Sequence, residues 1–288
     1  MIKIMVDSTC DLPRDIIEKY EIKVLPLRVS LEGVEYLDKK TIQVDEVYSF
    51  IRRGIVPKTS QVNPKDFYDA FEEYCNKGQD FIYLSFSSKL SGTYGLARNI
   101  LDEIKEKYPN NKMEVLDSKG GSTATGLIAL QAVKLIEKGL KFEVVLNQLN
   151  QLVEHVEHIF SISDLRWLVK GGRVGMVSGT IGSMMDIRPI LDVEDGRMKV
   201  IRNVRGKKKA LNTIVDIVEQ RFKNFPNQMI GISHADELET AEELIKLIKD
   251  RLGIRDIMIN KIGSVLGSHL GIGGVGVFFF NKEPDIYI

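Results

Sequence analysis

The chain is 288 residues long, enough for two ordinary domains or one large one with a sizeable core. Lys plus Arg and Asp plus Glu balance at 40 each, which argues against a generic nucleic-acid coat or a binder of strongly anionic membranes. Hydrophobic residues at 43% and charged residues at 28% exclude a mostly disordered chain. No apolar run approaches the ~18 to 20 residues that cross a bilayer. The opening MIKIMVDSTC turns polar too early for a secretory h-region, so a cytoplasmic protein is expected. Cys10 and Cys75 lack CxxC spacing and a nearby His pair, and predict neither a disulfide framework nor a metal site.

In chain order, residues 2–6 read as a buried strand and 13–20 as a short helix opened by Asp11. Residues 24–31 read as a second strand interrupted by Pro26. A helix over 45–53 follows, and Asn63-Pro64 supplies the N-cap and first-turn proline of another. Residues 81–86 predict a strand, and 91–108 a helix with Leu96, Ala97, Ile100, Leu101 and Ile104 on one face. A strand over 113–116 and helices over 126–137 and 142–156 complete the first half. The second half opens on the strand-like HIFSIS at His158, then a hairpin over 190–204 with Glu194-Asp195-Gly196 as its turn. Strands over 229–233 and 257–262 flank a helix over 237–252, and 275–280 is a last apolar strand. No repeat of 20 to 50 residues is present. The expected fold class is α/β, in two domains. Residues 1–155 form a mostly parallel sheet with flanking helices, and 156–288 a mixed-sheet α/β domain.

Ligands of open parallel sheets bind beyond the carboxyl ends of the strands. Four polar stretches fall at such places: Asp7-Ser8-Thr9, Lys58-Thr59-Ser60-Gln61, the run from Ser87 to Tyr94, and the glycine-rich run from Gly267 to Gly274 around His269. The third has five hydroxyl side chains in eight residues where a helix begins, more than one cap needs, which points to an anion. Taken singly, Thr59 and Ser60 fit a local turn as well as a site, and a lone His269 fits a structural role as well as a ligand contact. His155, His158 and His234 are weaker candidates. The run from Gly271 to Gly276 is no dinucleotide loop, because it precedes a strand instead of opening a helix. The segment LRWLVKGGRVG predicts a C-capped helix with Trp167 in the core and Arg173 held at a glycine turn. Arg202, Arg205 and Lys207 to Lys209 make a basic cluster that reads equally as solvated surface and as a patch for phosphate or an acidic partner.

DSTCDLP, KVLPLRV with the following YLD, KTSQVNP, SSKLSGTY, LRWLVKGGRVG and GSHLGIGGVG, in that order, resemble the DegV family of bacterial fatty-acid-binding proteins along the whole chain. The resemblance implies two α/β domains with a long-chain fatty acid buried between them, and no cofactor. It implies a carrier without activity of its own that presents the acid to a separate kinase subunit, which uses ATP to make the acyl phosphate. Transient contact with a membrane surface is a further expectation; nucleic acid is not. Carried over by residue, the carboxylate-binding groups fall on Thr59, Ser91 and His269, with Ser60, Gly92 and Ser268 in support. The kinase-docking or phosphate-handling arginine falls on Arg202 or Arg205, with Arg173 as a further candidate. Ile272 stands where the family commonly has proline. Because imidazole titrates near neutrality, binding through His269 is expected to depend on pH there. The rival reading is a small-molecule hydrolase or phosphotransferase using a serine of the loop from Ser87 to Thr93, for which the sequence offers no third group to orient a base.

Overall fold

The structure is a computed structural model and describes residues 1–173, 175, 177–178 and 186–288. Val174 of the KGGRVG segment lies outside the described residues. The first strand, β1 (Ile2–Asp7), is apolar on both faces, with Ile4, Met5 and Val6 all buried. Such a strand needs cover on both sides, which favours the middle of a parallel sheet. It pairs in parallel with β2 (Lys23–Leu25) and β6 (Asp80–Ser85), and β6 pairs in parallel with β7 (Met113–Asp117). Side chains alternate across β6. Phe81 and Tyr83 join the core under helices α3 (Pro64–Asn76) and α4 (Thr93–Lys107). Ile82 and Leu84 join that under α5 (Ser122–Glu137) and α6 (Phe142–His155). As the sequence leads one to expect, Asn63 caps α3 by accepting the Lys65 N–H.

Two local expectations fail for clear reasons. The strand expected over 24–31 is two strands: Pro26, which has no N–H for the ladder, ends β2, and β2 is the edge strand that a proline there suggests. The chain then enters a separate three-stranded sheet of β3 (Arg28–Leu31), β4 (Val34–Leu37) and β5 (Lys58–Ser60), in the order β4-β3-β5, with α2 (Val44–Arg52) between β4 and β5. Asp11 does not open α1 (Arg14–Lys19); Pro13 holds the cap position without a side-chain bond. The Asp11 carboxylate instead accepts from Ser122 Oγ at 2.7 Å and from the Gly263 N–H at 3.0 Å, tying the two halves of the chain together.

The larger sheet has seven strands in the order β13-β12-β14-β8-β10-β11-β9. They are β8 (Val156–Ser161), β9 (Val177–Ser178), β10 (Ile187–Glu194), β11 (Arg197–Arg205), β12 (Ile230–His234), β13 (Ile257–Lys261) and β14 (Val275–Phe280). The β12–β13 and β9–β11 pairs are parallel and the others antiparallel, so the sheet is mixed. Helices α8 (Lys207–Phe222) and α9 (Leu238–Leu252) pack one face, with Ile214, Val218 and Leu244 in the core. Helix α5 is buried almost all round, which a helix can be only when it is covered on every side. It lies between the two sheets, packing on β1 and on β12 and β14. Among the described residues, no helix is long and apolar enough to cross a membrane. Short helices α7 (Arg166–Lys170) and α10 (Ser264–Leu270) complete the chain. The second corrects part of the sequence reading: of the run 267–274 taken as a loop, residues 267–270 are helical and 271–274 are irregular. Trp167 of α7 is only partly buried, against the edge of a core cluster.

Candidate functional site

The segment after β6 and the first turn of α5 lie at the carboxyl end of the parallel sheet. They face β8, β11 and β14 of the larger sheet, and the gap between them is a cavity. Its empty space is about 960 Å³ with the mouth included. The centre of a water molecule can occupy only about 110 Å³ of it, so the space is narrow. Phe86, Leu90, Phe160, Leu168, Met198 and Phe278 make its walls apolar. One group of polar side chains enters from three directions: Thr59, Ser60 and Gln61 from β5 and its end, Ser91 from the loop before α4, and His269 from α10; Ser122 of α5 and His158 and Ser161 of β8 line the cavity elsewhere. Arg173 lines it too.

The centre of this polar group is a pair 210 positions apart in sequence: Thr59 Oγ1 lies 2.7 Å from His269 Nε2. Two close approaches place the histidine. At Gly267, a Cβ would stand 2.6 Å from the Tyr48 hydroxyl, so only glycine lets α10 pack on α2. At Gly171, a Cβ would stand 2.1 Å from His269 Nδ1. That nitrogen is buried and has no partner among the described residues. Burial first, and then the positive charge of Arg173, lower the His269 pKa to about 4. The imidazole is therefore neutral at pH 7, and the titration near neutrality expected from the sequence moves well into the acid range. The Arg173 guanidinium donates to the Gly171 carbonyl at 2.8 Å, so arginine, glycine turn and histidine form one contiguous group.

The remaining candidates separate. Ser91 Oγ accepts the Thr93 N–H at 3.2 Å and lies 2.9 Å from Thr93 Oγ1 while lining the cavity. Ser87 is structural: its hydroxyl donates to the Gly196 carbonyl at 2.8 Å, locking the loop to the β10–β11 turn. Thr93 is wholly buried in α4, so the count of hydroxyls overstated the anion site. Gly92 and Ser268 do not line the cavity. Gly92 is exposed beside Gln61, and Ser268 donates to the Ser264 carbonyl at 2.7 Å within α10. Asp7-Ser8-Thr9 is scaffolding as well. The buried Asp7 carboxylate accepts from Thr9, from Tyr83 and from the Phe86 N–H, and Ser8 accepts the Leu27 N–H. Burial raises the Asp7 pKa against those bonds. Arg202 and Arg205 are exposed on β11, on the same strand as Met198 but outside the cavity. Sequence reasoning placed Gln61 in a candidate stretch without giving it a role and discounted His158; both line the cavity. Among the described residues, no group of three or more His, Cys, Asp or Glu is placed to hold a metal ion.

Two sheets bridged by a buried helix, with a narrow, mainly apolar cavity and a polar group set into its wall, define an α/β protein with a candidate ligand site. The chain belongs to the DegV family, whose profile, described as an uncharacterised protein of the DegV family, matches residues 1–282. It is 35% identical over 286 residues to a DegV domain-containing protein of Clostridium perfringens, covering 98% of either chain. A solved DegV lipid binding protein from Thermotoga maritima is similar at 33% identity, over 96% of this chain and 97% of that one, with a TM-score of 0.84. A fat acid (stearic acid)-binding protein from Eubacterium ventriosum is similar at 27% identity, over 96% and 97%, with a TM-score of 0.90.

Proposed function

We propose that this chain is a carrier that binds a long-chain fatty acid in the narrow cavity, its carboxylate held by Thr59, Ser91 and His269. The observation that carries the reading is the Thr59–His269 pair set in the wall of a mainly apolar space. Its family membership and the stearic-acid-binding and lipid-binding relatives support it. An acyl chain gains ~0.8 kcal/mol per buried CH₂, so the walls supply affinity. A buried carboxylate is costly without donors, and the hydroxyls with Arg173 are suited to meet it. Ser60, at the same wall, is in a position to support them.

The same proposal extends to the partner. The carrier presents the carboxylate to a separate kinase subunit that uses ATP, and the exposed Arg202 and Arg205 serve that encounter or the acyl phosphate. It works in the cytoplasm, as two units divided near residue 155, with no chemistry of its own. A hydrolase or phosphotransferase built on the loop from Ser87 to Thr93 is less well supported. Ser91 is bonded to Thr93, His269 to Thr59, and His269 Nδ1 has no orienting group among the described residues. Mass spectrometry of ligand released from natively purified protein tests the reading. An acid of about 14 to 20 carbons is expected; a nucleotide, or an empty protein that ignores added fatty acid, would overturn it.

A further inference from the structure

The cavity wall carries a second imidazole, away from the Thr59 pair. His158 stands on β8 opposite Phe278 of β14 and packs edge-on against that ring, centroids 5.7 Å apart. Strand alternation puts His158 and Phe160 on one face of β8, and both line the cavity. Only 4% of His158 is exposed, and neither Nδ1 nor Nε2 makes a well-formed hydrogen bond among the described residues, although the backbone of Val156, two residues back in the strand, is a polar neighbour of the ring. Ser161, in the same strand and also lining the cavity, has a buried hydroxyl without a partner. Backbone makes room for the ring: a Cβ on Gly120 would stand 2.0 Å from Nε2. Behind it lies a polar recess with about 410 Å³ of empty space, lined by Lys119, Glu154 and Asp195 among others. Those charges are taken up with one another, since Lys119 pairs with Glu154 at 2.7 Å and with Asp195 at 3.3 Å.

Buried polar groups are nearly always well paired, so an imidazole with no well-formed hydrogen bond at a ligand cavity needs an explanation. A plain hydrocarbon chain offers it nothing. Burial holds the His158 pKa at about 4, so the ring is neutral, with one donor and one acceptor. A hydroxyl also donates and accepts, and matches the ring in either tautomer.

We infer that the cavity selects an acyl chain bearing an oxygen substituent, a hydroxy fatty acid whose in-chain hydroxyl pairs with His158. This rests on the fatty-acid reading and names the ligand class within it.

The test uses delipidated full-length protein and calorimetric titration with octadecanoic acid and a series of monohydroxyoctadecanoic acids, the hydroxyl moved along the chain. One position, or two neighbouring ones, should bind at least as tightly as the parent acid, and the rest about 10-fold or more weaker, because their hydroxyls are buried unpaired. The ratio of favoured hydroxy acid to parent should collapse about 10-fold in His158→Leu and persist in His158→Gln, which keeps a donor and an acceptor. If His158→Leu does not fold, the positional series in the wild type and His158→Gln still decides. A uniform penalty at every hydroxyl position would overturn the inference and leave a fixed water as the imidazole's partner. Failure of the wild type to bind octadecanoic acid at all would instead remove the fatty-acid reading on which the inference stands.

Discussion

Replacing Gly171 with alanine isolates the steric contact that positions His269. The backbone there (φ −77°, ψ −3°) suits any residue, so the substitution carries no conformational penalty of its own. The new Cβ, however, would stand 2.1 Å from His269 Nδ1 and 3.1 Å from two ring carbons. Ordinary contact is about 3.5 Å, so ring and turn must part by more than about 1 Å. The ring cannot give way freely, because Nε2 is bonded to Thr59 Oγ1 at 2.7 Å on a strand of the small sheet. A displacement of that size takes the pair beyond hydrogen-bonding range. Loss of the bond at a part-buried site costs about 1 to 3 kcal/mol. On the proposed function, octadecanoic acid should then bind about 5- to 150-fold more weakly, read by calorimetric titration. The strain should also lower the melting temperature. In a His269→Ala background the obstructing ring is absent, and the same Gly171→Ala change should cost little. An equal loss in both backgrounds, or undiminished affinity in the single variant, would refute the steric account.

Acidification should destabilise the fold in a defined window. His158 and His269 are held at about 4, below the ~6.5 of an unfolded histidine, so the unfolded chain takes up protons first as pH falls. The stability is fully present above about 6.5 and is lost as pH falls towards 4, on the order of 3 kcal/mol for each ring; denaturant melts at pH 7, 5.5 and 4.5 that superimpose would contradict it. Changing Arg202 and Arg205 together to alanine should leave acid binding near wild type, since neither lines the cavity, while strongly reducing phosphorylation in the presence of kinase and ATP. Full kinase-coupled activity in that double variant would make the basic cluster ordinary solvated surface.

Much of the framework is legible because it is local. The apolar run over residues 2–6 declares a buried strand, and Glu194-Asp195-Gly196 declares a hairpin. Asp195 and Gly196 do take positive φ, 46° and 79°, the pair of values that a tight two-residue turn requires. Helix α10 is not legible, because its glycines and serines favour a loop and the helix depends on packing against α2. The difference between Ser87 and Ser91 is equally hidden. Both sit in one polar run, and only the distant Gly196 carbonyl marks the first as a structural bolt. The Thr59–His269 pair has no local signal at all, and the poorly paired imidazole of His158 becomes visible only once every neighbour is in place.

The balance of forces in the cavity follows from comparing its two kinds of wall. Two methylenes of buried chain contribute about 1.6 kcal/mol, against about 1 kcal/mol net for one hydrogen bond to a hydroxyl. On the proposed function the hydrocarbon therefore dominates affinity, and the polar group decides orientation. The electrostatics serve that division. Arg173 helps to keep His269 neutral, so the site holds one positive charge beside uncharged donors. A carboxylate entering there meets a matching charge without a second cation that would have to be desolvated. Its negative charge also favours the imidazolium, opposing Arg173, so ligand and proton each strengthen the binding of the other. On the proposed function, a carrier needs that arrangement more than it needs additional affinity, because a fatty acid bound with its carboxylate buried at the wrong end could not be handed on.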